Sequence, residues 1–256
     1  MKKQRNINKV LPSFLLLTSL LIIWEIASYK EVVASYMLPA PTQIICAFVN
    51  DIDLILVHTK TTLIEAFLGL SFGIIIAFIT SIAMDRFRVL YQMFYPFIIV
   101  SQTIPTIALA PLLVLWFGYD LTPKIILVIL TVFFPLTIGL LNGYKSVDKD
   151  ALQLMKVMGA NEYQIYRHLK LPSTLPYFFA GLQIAVTYSI IGAVVAEWLG
   201  GFEGLGVYMT RVRKAYAFDK MFAIIFFISI ISILLMLLVI WAKKKCMPWK
   251  QNEQGE

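Results

Sequence analysis

The run Gly69-Leu70-Ser71-Phe72-Gly73 spells G-x-S-x-G, the pattern that exposes a nucleophilic serine on a sharp strand-to-helix turn. Here it lies in a stretch with no charge between Glu65 and Asp85, where an apolar helix is expected rather than a turn. A serine at membrane depth would also need a histidine beside it. The two histidines, His58 and His168, fall outside the apolar runs and on opposite sides. The same five residues form a G-x-x-x-G face, which lets two helix backbones approach closely, and packing is the reading taken. No G-x-x-x-x-G-K-[ST] phosphate loop occurs, so the chain is not expected to hydrolyse ATP. Cys46 and Cys246 make neither a disulfide framework nor, with so few histidines, a metal site. No catalytic residue and no cofactor of the chain's own are assigned.

The remaining candidates are polar groups in apolar surroundings and one patterned connection. Polar side chains inside a bilayer are costly and face a cavity or another helix. Gln102 and Thr106 share a face at i, i+4, and Pro105 removes the bond its missing N–H would make to the Ser101 carbonyl. Broken helices at membrane depth are tolerated where they line protein or water. Gln183 and Thr187 are again four apart, with Tyr188 adjacent. These five residues are candidates for a translocation pathway; hydrogen bonding between helices explains each one singly as well. Glu65 and Glu197 are expected near the outer ends of their helices, reaching water by snorkelling.

The patterned connection is 144–175. From Lys149 the spacing predicts a helix with Ala151, Leu154, Met155 and Met158 on one face and Asp150, Gln153 and Lys156 on the other. Gly159 stands where a left-handed C-cap belongs. Asn161 opens a second helix with Gln164 three residues on, as in a capping box; it is expected to end at Leu171-Pro172, with Pro176 opening the next span. A short amphipathic helix bearing methionines suits insertion into a partner's groove. Lying on a membrane surface fits the spacing equally.

The elements that must hold these residues follow from composition. Hydrophobic residues are 59% and charged residues 14% of 256, against roughly 45–50% and about 25% in soluble domains. That excludes a water-coated globule, and a bilayer is the plentiful alternative. Six spans are expected, at about 10–28, 63–84, 89–118, 125–143, 177–196 and 221–242, within a permease domain over 10–242. The third exceeds one crossing, so a tilted span with a partly re-entrant segment is expected. The basic start and apolar run also resemble a signal peptide, but the run from Val10 is long for one and is read as a span.

The net charge of +7 would suggest nucleic acid in a soluble protein; here its distribution sets orientation instead. The N-terminus 1–9, the tail 243–256 and the second and fourth connections hold fifteen of the 22 Lys and Arg. Lys30, Lys60, Lys124, Arg211, Arg213, Lys214 and Lys220 hold the other side. Both termini and Cys246 are therefore expected in the cytoplasm and Cys46 outside. The Arg211–Lys214 cluster runs against the rule.

The sequence resembles the membrane subunit of binding-protein-dependent ATP-binding cassette importers. That family's loop reads E-A-A-x-x-x-G, nine residues, then I-x-L-P. Gly159, Leu169, Leu171 and Pro172 stand at matching positions, with Gln153-Leu154-Met155 in place of E-A-A and Leu169 in place of the isoleucine. Leu38-Pro39-Ala40-Pro41, the run Ile104–Gly118, Val195–Gly200 and Gly204-Leu205-Gly206 are similar to its nitrate, sulfonate, taurine and pyrimidine-precursor branch. The resemblance implies an all-α type I importer permease in the cell membrane, paired as a homodimer. Its partners would be two ABC ATPase subunits, which carry ATP and Mg, and an extracellular solute-binding protein. The 150–159 helix would couple to the ATPase. The wording Ala196–Gly201 looks most like permeases for the hydroxymethylpyrimidine precursor of thiamine, with a sulfonate or taurine-like solute as the other choice. An ion channel or secondary transporter, which needs no ATPase, is the alternative.

Overall fold

The computed structural model describes residues 2–32, 34 and 37–248. Met1 and the end of the expected tail, 249–256 with Lys250, lie outside them. Eleven α-helices occur among the described residues: α1 Lys2–Tyr29, α2 Pro41–Asn50, α3 Ile52–Arg86, α4 Arg88–Ser101, α5 Thr106–Phe117, α6 Leu121–Lys145, α7 Lys149–Val157, α8 Glu162–Ile165, α9 Leu171–Leu199, α10 Leu205–Lys214 and α11 Phe218–Cys246.

α6 is the axis of the bundle, packed between α3 and α9. Small residues make the approach possible. A Cβ on Gly69 would sit 2.4 Å from Val128, and one on Gly73 would sit 2.2 Å from Val132 Cγ2. The G-x-x-x-G face therefore packs α3 on α6, and the hydrolase reading of the same letters is closed by its buried, helical setting. Gly139 and Gly181 do the same between α6 and α9, where a Cβ would meet backbone carbonyls at 3.1 Å. Val128, Val132, Leu136 and Leu140 fill the centre with Ala77, Ala185 and Ala193. α11 packs on α9, and α2 lies on α11 through Phe48 and Phe227. α1 reaches the body at its C-terminal end, where Trp24 meets Phe222 and Phe226 and Glu25 accepts from the Thr42 hydroxyl at 2.7 Å.

By length and apolarity four helices among the described residues can cross a membrane, α3, α6, α8–α9 and α11; α4 and α5, bent by 100° to each other, form either a broken fifth span or a re-entrant loop. The expected first span lies in α1, whose described apolar part, Leu15–Tyr29, is shorter than the others. The bend falls at 102–105, where Pro105 was expected to break the helix. The Ser101 carbonyl that Pro105 leaves free accepts instead from Ile104 N–H at 3.2 Å. Gln102 caps α4 and Thr106 opens α5, so these two do not share a helical face as their spacing suggested. The break turns the second away from the first.

The second expectation to fail is the stop at Leu171-Pro172. Helix runs unbroken from Glu162 to Leu199 because a π-turn at Tyr166–Lys170 precedes the proline, with Leu171 N–H bonded five residues back to Tyr166. A widened turn absorbs the missing donor and the ring.

Candidate functional site

At one end of the bundle α6 runs into the patterned connection. Asp148 accepts from Asp150 N–H at 2.9 Å and caps α7. The far end of α7 closes as a Schellman motif: Gly159 N–H bonds Lys156 O and Ala160 N–H bonds Met155 O, each at 3.0 Å, with Gly159 at φ +79°. That satisfies carbonyls a helix end leaves open. Asn161 and Gln164 then bond each other's backbone N–H reciprocally at 2.8 Å, as the capping-box spacing foretold.

The loop is pinned to α3. Lys170 pairs with Asp85 at 2.6 Å and Arg86 with Glu162 at 2.8 Å. Ile165 is buried, Tyr166 packs on Tyr144, and Gly143 lets Thr174 close in, since a Cβ there would lie 2.5 Å from Thr174 Cγ2. None of these partners was read from the sequence; Asp85 and Arg86 are the last two residues of α3, with no pattern around them.

The pinned base holds α7 out. No α7 residue is buried. Leu154 and Met158 are 61% and 76% exposed, and two residues missing from the sequence reading join them, Val157 at 81% and Tyr163 at 67%. Ala151 and Met155 are half-covered by the chain itself, so the expected apolar face is split between an outer patch and an inner hinge. Asp150 and Gln153 are exposed, and Leu169, Leu171 and Pro172 are half-buried where the π-turn enters α9.

The pathway candidates do not converge in a single chain. Gln102 is exposed and Thr106 half-buried at the α4–α5 bend, Gln183 and Thr187 are half-buried on α9, and Tyr188 is exposed. Thr187 bonds back to the Gln183 carbonyl at 3.3 Å, which accounts for that hydroxyl locally. No hydrogen bond joins the two sets among the described residues.

The opposite end corrects the snorkelling expectation. Glu65 and Glu197 are buried at 0% and 1% exposure. Glu65 receives Lys124 Nζ at 2.7 Å. Glu197 accepts from Thr62 Oγ1 at 2.7 Å and from Gly206 N–H at 2.6 Å. Thr62 in turn accepts Leu205 N–H at 2.8 Å, and His58 Nδ1 accepts Gly204 N–H at 3.0 Å. Three successive amides at the start of α10 thus point at side chains of α3 and α9, and the carboxylate occupies the positive end of a helix. Gly204 is required: its φ is +128° and a Cβ would meet the Glu197 carboxyl at 2.2 Å. A signal for this was present. Thr62, Glu65, Gly69 and Gly73 lie on one stripe of α3, so a residue beside the packing glycines had to be buried with them.

Beside this network Asp51 binds Lys220 at 2.7 Å and receives the Tyr208 hydroxyl. Burial alone would raise the Asp51 carboxyl, but the hydrogen bonds from Lys220 and Tyr208 and the Lys220 charge outweigh it and hold it below the usual carboxylate value. Burial and the Asp51 carboxylate push the Tyr208 hydroxyl up. Among the described residues no cluster of His, Cys, Asp and Glu has the makings of a metal site.

Residues 69–246 match the family described as binding-protein-dependent transport system inner membrane component. The formylaminopyrimidine transport permease protein ThiX of Halalkalibacterium halodurans is 37% identical over 91% of this chain and 94% of its own length. The taurine transport system permease protein TauC of Escherichia coli is 28% identical over 93% of this chain and 89% of its own. A crystal structure of an amino acid ABC transporter with histidines superposes with a TM-score of 0.61 at 15% identity, covering 78% of this chain and 95% of that one, a likeness of fold. These matches set aside the channel and secondary-transporter alternative.

Proposed function

The chain belongs to the binding-protein-dependent transport system inner membrane component family and is the permease subunit of an ABC importer, and from that premise we propose how its two ends divide the work. It is a multi-pass membrane component, not a catalytic subunit, and the family implies ATPase and solute-binding partners. The α7–α8 end faces the cytoplasm with both termini, and the α10 end faces outward. Two copies pair to enclose the pathway, to which Gln102, Thr106, Gln183, Thr187 and Tyr188 contribute. ATP and Mg reside on the ATPase. The solute is a pyrimidine precursor of thiamine, favoured over a sulfonate by the higher identity to the formylaminopyrimidine permease than to the taurine permease.

The single observation that carries the coupling role is the outer patch of Leu154, Val157 and Met158, exposed on α7 just before a segment that Glu162 and Lys170 tie to α3. An apolar patch left uncovered by its own chain outside the packed bundle marks a docking surface. Leu154→Glu places a charge where an apolar groove must desolvate it. The expected result is loss of ATPase from pull-downs of the variant and loss of uptake, with the permease still inserted. Full ATPase recovery with Leu154→Glu would mean that α7 lies on the membrane instead. For the solute, a strain unable to make the pyrimidine moiety should grow on supplied hydroxymethylpyrimidine only with this permease; equal growth without it removes that substrate.

A further inference from the structure

α3 turns two faces in opposite directions. Thr62, Glu65, Gly69 and Gly73 point into the bundle, against α10 and α6. On the far side Lys60, Leu63, Phe67 and Ile74, spaced by three, four and seven residues, form a second stripe. Both α3 and α11 pack on α9. Between them runs a cleft of about 740 Å³, walled by this stripe and by Leu238 of α11 and floored by Leu182 and Val186 of α9. Its lining holds one hydroxyl and one charge. The hydroxyl, on Ser189, donates to the Val186 carbonyl at 2.8 Å, so nothing polar inside the cleft awaits a ligand. The charge is Lys60.

The cleft has the depth of one leaflet. Lys60 stands one turn outside Leu63, where the apolar span 63–84 begins, and Ile74 lies at the middle of that span. Fourteen residues of helix separate the two, a rise of about 21 Å. Half a bilayer with its headgroups measures about 20–22 Å. The cleft therefore runs from headgroup level to the midplane and stops there. It opens sideways, since Phe67 and Leu238 are 69% and 59% exposed. Lys60 is exposed at its mouth and enters none of the four ion pairs among the described residues. A crossing helix of a second copy would need a surface through both leaflets, and this one covers a single leaflet.

We propose that the cleft is a binding site for one anionic phospholipid of the leaflet at the α10 end, with the phosphate on Lys60 and an acyl chain laid along α9 between α3 and α11. An ammonium group meets a phosphate as a point charge, and the chain supplies the apolar contacts that the two helices do not make with each other. Leu182, Val186 and Ser189 lie on the other side of α9 from Tyr188, so the lipid occupies a site separate from the pathway candidates. It is a structural ligand, not cargo. A headgroup with no net charge fits the same cleft but gains less from Lys60.

The test strips the permease, assembled with its ATPase, of lipid in a neutral detergent. The complex is then titrated with phosphatidylglycerol or with phosphatidylcholine of the same chains, and bound lipid is counted by native mass spectrometry. Wild type should bind phosphatidylglycerol about ten-fold more tightly at low salt, with the gap closing as salt rises. Lys60→Glu should lose that preference and Lys60→Arg should keep it, which separates charge from folding. Ile64→Trp, at a lining residue that is itself exposed, should fill the cleft and weaken both lipids alike while the complex stays assembled. Equal affinity of wild type for the two lipids overturns the proposal, and so does an unchanged preference in Lys60→Glu. An Ile64→Trp variant that separates the permease copies yet keeps both lipid affinities also overturns it, and gives the cleft to the second copy. The readout is binding, so it holds whatever solute the importer carries.

Discussion

Lys124 and Glu65 meet at 2.7 Å between α6 and α3 with side chains 5% and 0% exposed. Each is the lone charge of an apolar stretch, and neither would be tolerable there without the other. Glu197 lies in the same network, held by Thr62 and Gly206 rather than by the lysine.

Lys124→Met should therefore strand a buried carboxylate and cost about 3–5 kcal/mol, whereas the double change Lys124→Met/Glu65→Met should fall close to wild type, since removing both members of a buried pair is often neutral. Denaturant unfolding in detergent, read by tryptophan fluorescence, compares them. A double variant as unstable as the single one would show that the lysine chiefly serves Glu197.

Gly73→Ala should cost about 1–3 kcal/mol by overpacking, because its Cβ would lie 2.2 Å from Val132 Cγ2. Val132→Ala removes that atom and should recover much of the loss in the same unfolding assay. Gly139→Ala presses on the Tyr177 carbonyl at 3.1 Å, which no side-chain trimming relieves. Rescue of Gly139→Ala by a neighbouring truncation would contradict this geometry.

How much of this was legible depends on range. Local chemistry reads directly: the Asn161–Gln164 box, the Gly159 turn, the break at Pro105 and the Gly69–Gly73 packing face each depend on residues within one or two turns. The partners did not read, because Lys124, Glu65 and Glu197 are joined by a fold, not by spacing. Charges near the ends of apolar runs look like snorkelling groups until the stripe they share with packing glycines is noticed. Leu171-Pro172 misled for a different reason, since a π-turn upstream is invisible in residue types. The outer patch of α7 was half legible: periodicity gave the helix, but which side the body covers is fixed by Lys170–Asp85 and Arg86–Glu162.

Orientation is open to a direct measurement. Cys46 and Cys246 are both exposed, on α2 at the α10 end and at the last residue of α11. In intact cells a membrane-impermeant thiol reagent should modify Cys46 and spare Cys246 until the membrane is opened. Modification of Cys246 without lysis would invert the topology.

The Asp51–Lys220–Tyr208 corner should depend on pH at both extremes. Asp51 has a folded value below its ordinary one, so its stabilisation is present above the unfolded carboxylate value, near about pH 4, and is lost as pH falls through the lower folded value. Tyr208 is shifted the other way. Its contribution is complete below about pH 10, its unfolded value, and is lost as pH rises through the higher folded value. Protection of the α10 amides against hydrogen exchange, taken relative to the intrinsic exchange rate at each pH, should be greatest between those limits. In Asp51→Asn the acid-side loss of protection should vanish. An unchanged acid limb would assign it to other carboxylates.

Gly159 separates backbone from contact. Its φ of +79° costs any residue with a Cβ about 1–2 kcal/mol, yet a Cβ there would meet nothing within 4 Å in the free chain. Strain alone therefore predicts that Gly159→Asn, which tolerates the left-handed region, is mild and that Gly159→Ala is intermediate. Gly159→Val should be worst, because a β-branched residue is a true outlier there. All three should insert and unfold like wild type to within that strain, because the turn lies outside the packed bundle. ATPase recovery in pull-downs and solute uptake should fall in the same order. If Val is far worse than Ala in association while their unfolding is equal, the excess measures crowding against the ATPase at the end of α7. Wild-type uptake by Gly159→Val would mean that the direction the chain takes after α7 is irrelevant to coupling, and the docking role given to Leu154, Val157 and Met158 would fall with it.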